Sequence, residues 1–370
     1  MTEPRIEIDR LRFFVDPSWR RQDKIHSMLM NPVWGIPKAK DNALLRTQLA
    51  ERHTFDIRYY EIVDNPIDAD IIFAPYAHRE MRRQIPDLLP LCIKVAQDFK
   101  KPLLIDGLED ISHPIAYENH FVLRYGGYRF ERTPREIILP PLANDLLEMY
   151  EDGTISTKKK GKVPIIGFAG WGKLKLKPYM RTIIKELPDR VRSLFDTRYT
   201  AKRRGVLWRG RVMRIIESSP EVSANFFSRR TYSGHAKTAE KSITELQREF
   251  IDNLLESNYG LDVRGDANAS TRLFEILALG RIPVILDTER NFPFEDSIDY
   301  DAFSVRVDFR NVARLPSIVR AHFDATSEDE FEKMQKKARE AYETVFRIDA
   351  LTSYLIRELK DKIQHLSHEN

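Results

Sequence analysis

The sequence predicts an α/β protein of two parallel-sheet domains, and three observations carry that reading. In both halves, short apolar runs alternate with amphipathic stretches of helical period, the pattern of successive βαβ units. Several runs of the second half are apolar without polar alternation, as strands covered on both faces are. The length of 370 residues exceeds one compact core, and polar, lysine-bearing text from Glu148 to Lys162 (EMYEDGTISTKKKGK) separates the two series as an exposed linker would.

In the first series the expected strands are Leu11–Val15, Phe55–Tyr60, Ile71–Pro75, Leu103–Ile105, Phe121–Arg124 and Ile137–Leu139, with helices over Asn42–Arg52 and Pro86–Phe99. In the second the strands are Val163–Ala169, Gly205–Trp208, Tyr259–Val263, Ile282–Leu286 and Ser304–Val307. A charged helical tail follows Thr326, long enough to reach back across the first domain. The expected division is residues 1–155 as the N-terminal, acceptor-side domain, 156–327 as the C-terminal domain and 328–370 as the tail.

The 60 basic and 56 acidic residues nearly cancel, leaving a formal charge of +4, so no nucleic-acid partner follows from charge. The basic runs at Arg20–Arg21, Arg82–Arg83, Lys158–Lys162, Lys202–Arg204 and Arg229–Arg230 are scattered, which suits solvated surface. The linker lysines have a second reading, attraction to an anionic surface. Cys92, the one cysteine, lies in LLPLCIKVA as a small buried hydrophobe. No window reaches the roughly 18 apolar residues of a membrane span. The charged N-terminus lacks the pattern of a signal peptide, so the expected location is cytoplasmic, with peripheral attachment to a membrane left open.

The segment Asn258–Asp287, NYGLDVRGDANASTRLFEILALGRIPVILD, reads as strand, loop, helix and strand. Ser270 is placed to cap the helix, Gly280 to end it in the left-handed region, and Pro283 to open the next strand. Leu273, Phe274, Ile276 and Leu277 share one arc of the helix, with Thr271, Arg272 and Glu275 on the other. A loop at the carboxyl end of a parallel strand, with a helix N-terminus behind it, collects anions. Here it carries Arg264 and Gly265, followed by Ser270, Thr271 and Arg272. Arg264 or Arg272 offers charge for a diphosphate, and Glu275 an acceptor for ribose hydroxyls. The competing reading is an Arg272–Glu275 surface pair at i,i+3.

The text STRLFEILALGRIPVIL, Ser270 to Leu286, closely resembles the exostosin-type (GT47) glycosyltransferases, whose helix has the form S-x-R-x-x-E-A-L followed by G-x-I-P-V-I; Ile276 stands here for the alanine. ADIIFAPY (Ala69–Tyr76), IILPP (Ile137–Pro141) and GFAGWG (Gly167–Gly172) extend the resemblance in the same order. The resemblance implies a GT-B architecture of two facing Rossmann-like domains, with the donor nucleotide mainly on the C-terminal one. It also implies inverting transfer from a nucleotide sugar, expected to be a UDP-sugar, to a glycan or glycoconjugate hydroxyl, without a tightly bound cofactor or metal. Other readings are a fucosyltransferase-like GDP-sugar enzyme, a nucleotide-sugar epimerase, and a non-catalytic nucleotide-binding subunit.

Inversion needs a base on the acceptor side, and the candidates at strand ends are Asp106, His78 and Asp16, in that order; loop capping competes for His78 and Asp106. Gly170, with Trp171 beside it, belongs to a short glycine-bearing turn suited to close approach of a diphosphate. Phe226–Lys237, mixing aromatics and cations, reads as a mobile loop or as plain surface. The nine histidines are dispersed, and Asp68-Ala69-Asp70 precedes its strand, so no metal site is expected. Oligomeric state is not specified by the sequence.

Overall fold

The computed structural model describes residues 9–37, 52–109, 115, 117–172, 176–229, 243–265 and 267–369. The expected helix at Asn42–Arg52, except Arg52 itself, and much of the Phe226–Lys237 segment lie outside the described residues. The chain forms two compact units: one of residues 1–125, 133–142 and 344–370, the other of residues 126–132 and 143–343.

In the first unit six parallel strands, β1 (Leu11–Phe14), β2 (Tyr60–Val63), β3 (Ile71–Ala77), β4 (Leu103–Asp106), β5 (His120–Arg124) and β6 (Glu136–Ile138), stand in the order β2-β1-β3-β4-β5-β6. The central strands β3 and β4 are buried almost throughout, which their unbroken apolar runs require. The strand expected at Phe55–Tyr60 begins only at Tyr60. Asp56 instead turns the chain, accepting from the Arg58 backbone amide at 2.9 Å while its own amide donates to the Thr352 hydroxyl. Leu88–Asp98 is helical and buries Cys92, and that burial pushes the thiol up, away from nucleophile behaviour.

The second unit holds β7 (Ile165–Trp171), β8 (Ser223–Arg229), β9 (Tyr259–Asp262), β10 (Ile282–Asp287) and β11 (Val305–Asp308), all parallel, in the order β11-β10-β9-β7-β8. Two parallel sheets in one α/β chain are what the sequence predicted. One element differs in kind: GVLW, expected as a strand, opens the helix Gly205–Glu217. Val206, Trp208, Val212, Met213 and Ile216 are its buried positions, a spacing near 3.6 that the first four residues alone could not display. The fifth strand is β8, which among the described residues pairs with β7 alone and whose exposed and half-buried side chains leave no apolar run to find.

The units divide at Leu142/Ala143, upstream of the lysine-bearing linker where the sequence placed the boundary. Asp145 accepts two hydrogen bonds from Arg339, and Leu146 and Leu147 pack with Ile251, Leu254, Ile276 and Leu279, so this stretch is fastened to the second core. The tail is likewise shared. Glu328–Ala341 stays with the second unit, where Gln335 bonds the Lys158 backbone on both its amide and its carbonyl. Leu351–Glu369 belongs to the first unit, with Lys360 donating to the Asp9 carbonyl and Lys362 to that of Pro134.

Candidate functional site

The second sheet presents the carboxyl ends of β7, β9 and β10 on one edge, and the donor-site residues singled out from the sequence lie there. After β9 the chain passes Arg264 and Gly265, and Ser270 occupies the N-cap position of the helix Thr271–Ala278. Ser270 is placed as expected, yet its hydroxyl makes no capping bond. Gly280 closes the helix at φ +62°, as predicted.

Arg272, two residues into the helix, leans onto the end of β7. Its Nη2 donates to the Ala169 carbonyl at 3.0 Å, and its guanidinium carbon stands 4.3 Å from the centre of the Phe168 ring. Gly170, at φ +147°, leaves the space for it. The glycine therefore meets the arginine rather than opening the loop by itself. Glu275, one turn further along and half-buried, has its carboxyl pushed above the ordinary range by burial; Arg272 opposes that rise and Asp262 adds to it.

Arg264 is turned into the fold. Its Nη1 donates to the Ala201 carbonyl at 3.1 Å and to the Tyr128 hydroxyl, its Nε to the Gly265 carbonyl, and it stacks over the Tyr128 ring. The helix Gly205–Glu217 starts against this loop so closely that a Cβ on Gly205 would stand 2.2 Å from the Arg264 carbonyl oxygen. From that helix Arg209 ties the strand ends together, donating to the Val263 carbonyl at 3.2 Å and to that of Trp171 at 3.3 Å. Sequence reasoning missed Arg209 because it read the segment as a strand.

A buried polar group next to these was also missed. Asp262, at the end of β9, accepts from Arg290 Nη1 at 2.6 Å, both side chains being buried. Among the described residues, Asp262 Oδ1, Arg290 Nε and Nη2, and both polar atoms of the buried Asn291 side chain have no hydrogen-bond partner. Asn268 pins the surrounding loops: its amide donates to the Gly127, Thr288 and Glu289 carbonyls, and its oxygen accepts from Thr288 at 2.7 Å. No motif marks DTERN; only an arginine and an amide just past an apolar strand could have signalled it.

In the first unit the ends of β3, β4 and β5 bring His78, Asp106 and Arg124 together. His78 is buried, with Nδ1 3.8 Å from Glu109 Oε1. Asp106 is buried and accepts the Leu108 amide at 3.1 Å, while Asp16 accepts the Ser18 amide at 2.8 Å; both cap their loops. Arg124 lies 3.7 Å from Glu136; burial lowers its pKa, against the pull of Glu136 and Glu109. Glu109 and Arg124 were not among the expected residues. Asp70 is held by Arg12 at 2.6 Å, and among the described residues no cluster of three or more His, Cys, Asp or Glu side chains suits a metal ion.

Residues 195–322 match the family model for the exostosin GT47 domain. The Exostosin-1 homolog of Caenorhabditis elegans is 25% identical over 118 residues, 32% of this chain and 30% of that protein, so the chain matches under a third of the relative's length. Among solved structures, TarM is similar with a TM-score of 0.38 at 8% identity, covering 79% of this chain and 54% of that one. Anabaena Alr3699/HepE in complex with UDP is similar with a TM-score of 0.37 at 10% identity, covering 95% and 100%. By its sheets the chain is an α/β protein of two parallel-sheet units. The likeness to the exostosin GT47 domain falls on the unit that carries Arg264, Arg272 and Glu275.

Proposed function

We propose that this chain is an inverting glycosyltransferase that moves a sugar from a UDP-sugar to a hydroxyl of a glycan or glycoconjugate acceptor. The observation that carries the reading is the corner formed by Gly170, Arg272 and Glu275 at the carboxyl ends of β7 and β9, within and beside the exostosin-like segment. Arg272 is suited to the diphosphate, whose negative charge grows as the glycosidic bond to the nucleotide breaks. Glu275 is suited to the ribose hydroxyls. Arg264, Gly265, Ser270, Thr271 and Trp171 complete the donor loop, with Arg209 and Arg264 holding its backbone in place.

Inversion requires attack on the sugar C1 opposite the leaving diphosphate while a base takes the acceptor proton. We assign that base to the first unit, ranking Asp106 before His78 and Asp16; Glu109 would steady His78 if the histidine serves. Asp106→Asn and His78→Ala, each assayed at saturating donor, decide the order, since the variant that keeps its kcat is dismissed. The overall reading is tested by transfer from a panel of nucleotide sugars. Release of free nucleotide with a glycosylated product supports it; interconversion of the sugar without release supports the epimerase instead. A variant Glu275→Gln with unchanged turnover refutes the donor assignment.

A further inference from the structure

The helices Leu176–Lys185 and Leu187–Arg192 are fastened to the second unit by their polar side. Thr182 and Glu186 are buried, and Glu186 accepts from the Arg204 amide at 2.7 Å and from Arg190 Nη2 at 3.1 Å. The hydrogen-bond ladder runs through the junction, Glu186 to Thr182 at 3.0 Å and Arg190 to Glu186 at 2.9 Å, so one helical phase spans both. At that phase Met180, Ile184, Leu187, Val191, Leu194 and Phe195 fall on a single outward stripe. The first four are at least half exposed, Leu194 is 81% exposed and Phe195 89%. A helix bathed in water shows the reverse arrangement, and an apolar row of this length marks a contact surface.

Arg181, Lys185 and Arg192 form a parallel row along one flank of the stripe and are exposed, whereas Glu186 is turned inward and Asp189 stands 3.6 Å from Arg192. Apolar side chains flanked by cations suit an interfacial helix on anionic lipid. A two-fold contact with a second copy would set the same cation row against itself. Among the described residues no helix is long and apolar enough to cross a membrane. We propose that this stripe seats the chain on the surface of a bilayer bearing anionic headgroups, with Leu194 and Phe195 entering the acyl boundary. The inference stands apart from the donor assignment.

The test is co-sedimentation of the full chain with vesicles of phosphatidylcholine alone and of phosphatidylcholine mixed with phosphatidylglycerol. Retention is expected on the mixed vesicles, weakening with salt, and falling about tenfold in L194E/F195E and again in R181E/K185E. Both variants alter exposed side chains, so their thermal melting should match that of the parent and show that the fold is kept. A single Leu194→Trp reporter should shift its emission to the blue on the mixed vesicles. Absence of retention there, or equal retention of parent and L194E/F195E, overturns the proposal. So does a dimer of the parent in solution that L194E/F195E dissolves, because a second copy would then be what covers the stripe.

Discussion

A Cβ on Gly170 would stand 2.6 Å from Arg272 Nη2, so the glycine at the end of one strand and the arginine in the first turn of a helix more than one hundred residues later occupy one mutually fitted space. The glycine also sits at φ +147°, where an L side chain is strained. Both facts bear on Gly170→Ala. It should push the guanidinium off the Phe168 ring and the Ala169 carbonyl while leaving the core intact. The expected result is a donor affinity at least tenfold weaker, about 1.4 kcal/mol, with a small loss in Tm. Calorimetric titration with UDP-sugar checks it; an unchanged Kd in a folded variant would detach Arg272 from donor binding.

Glu275 gives a prediction whose sign follows from its shifted pKa. Burial raises the carboxyl above its ordinary value in the folded chain, so between those two values the folded state holds more protons than the unfolded one. Stability contributed by this group is therefore greatest at acid pH, falls as pH rises through that window, and stays reduced above it. Glu275→Gln cannot ionise and escapes the loss. Its Tm should exceed that of the parent at neutral and alkaline pH, with the difference shrinking toward acid pH, while turnover drops at least tenfold, about 1.4 kcal/mol in the barrier. A melt series across pH in which the two proteins run parallel would show that the carboxyl is not held in a low-dielectric setting.

What the sequence disclosed follows the range over which its signals act. Strand–loop–helix order around Arg264 to Gly280 was legible because caps, helical phase and strand hydrophobicity are local properties, and the central strands β3, β4, β9 and β10 announce themselves as apolar runs. Gly205–Trp208 went wrong for want of length: four apolar residues fit either period. The partners of the site residues were out of reach altogether. That Arg264 would stack on Tyr128, or Arg209 bridge the ends of β7 and β9, depends on long-range packing that no local spacing encodes. Asp262–Arg290 and Asn291 were hidden for the same reason, and the split of the tail near Tyr342–Phe346 rests on which core each helix buries.

The buried pair Asp145–Arg339 ties the start of the second unit to its last helix, with Nη1 and Nη2 donating to the two carboxylate oxygens at 2.7 and 3.0 Å. Arg339 also donates to the Ala278 carbonyl at 2.7 Å, close behind the site helix. Without Asp145 the buried Arg339 charge is left to the half-exposed Glu343, which accepts from its Nε at 2.7 Å, so Asp145→Ala should cost about 3 kcal/mol, the low end for a broken buried pair. The double substitution Asp145→Leu with Arg339→Met removes both charges together and should cost less than the single one. Urea titrations of the three proteins measure this; a double variant weaker than Asp145→Ala would mean the pair contributes net attraction rather than avoided desolvation.

Asn291 tests whether the partnerless polar atoms beside β9 and β10 wait for a ligand. The side chain is 1% exposed, and among the described residues neither its amide nitrogen nor its oxygen finds a hydrogen-bond partner, although its backbone amide donates to the Gly127 carbonyl at 3.2 Å. A buried polar group left so costs about 1–3 kcal/mol, and the cost is relieved only when something bonds to it. Asn291→Leu, similar in size, removes both orphans and keeps the backbone contact, so the ligand-free variant should melt higher than the parent. If the nucleotide sugar satisfies these atoms, donor affinity falls at least tenfold and the Tm rise produced by saturating donor shrinks by about 1.4 kcal/mol in equivalent stability. If internal water satisfies them instead, the variant gains or loses stability with no change in donor affinity, and Arg290 with Asp262 becomes part of the scaffold behind Glu275 rather than part of the surface that meets the donor.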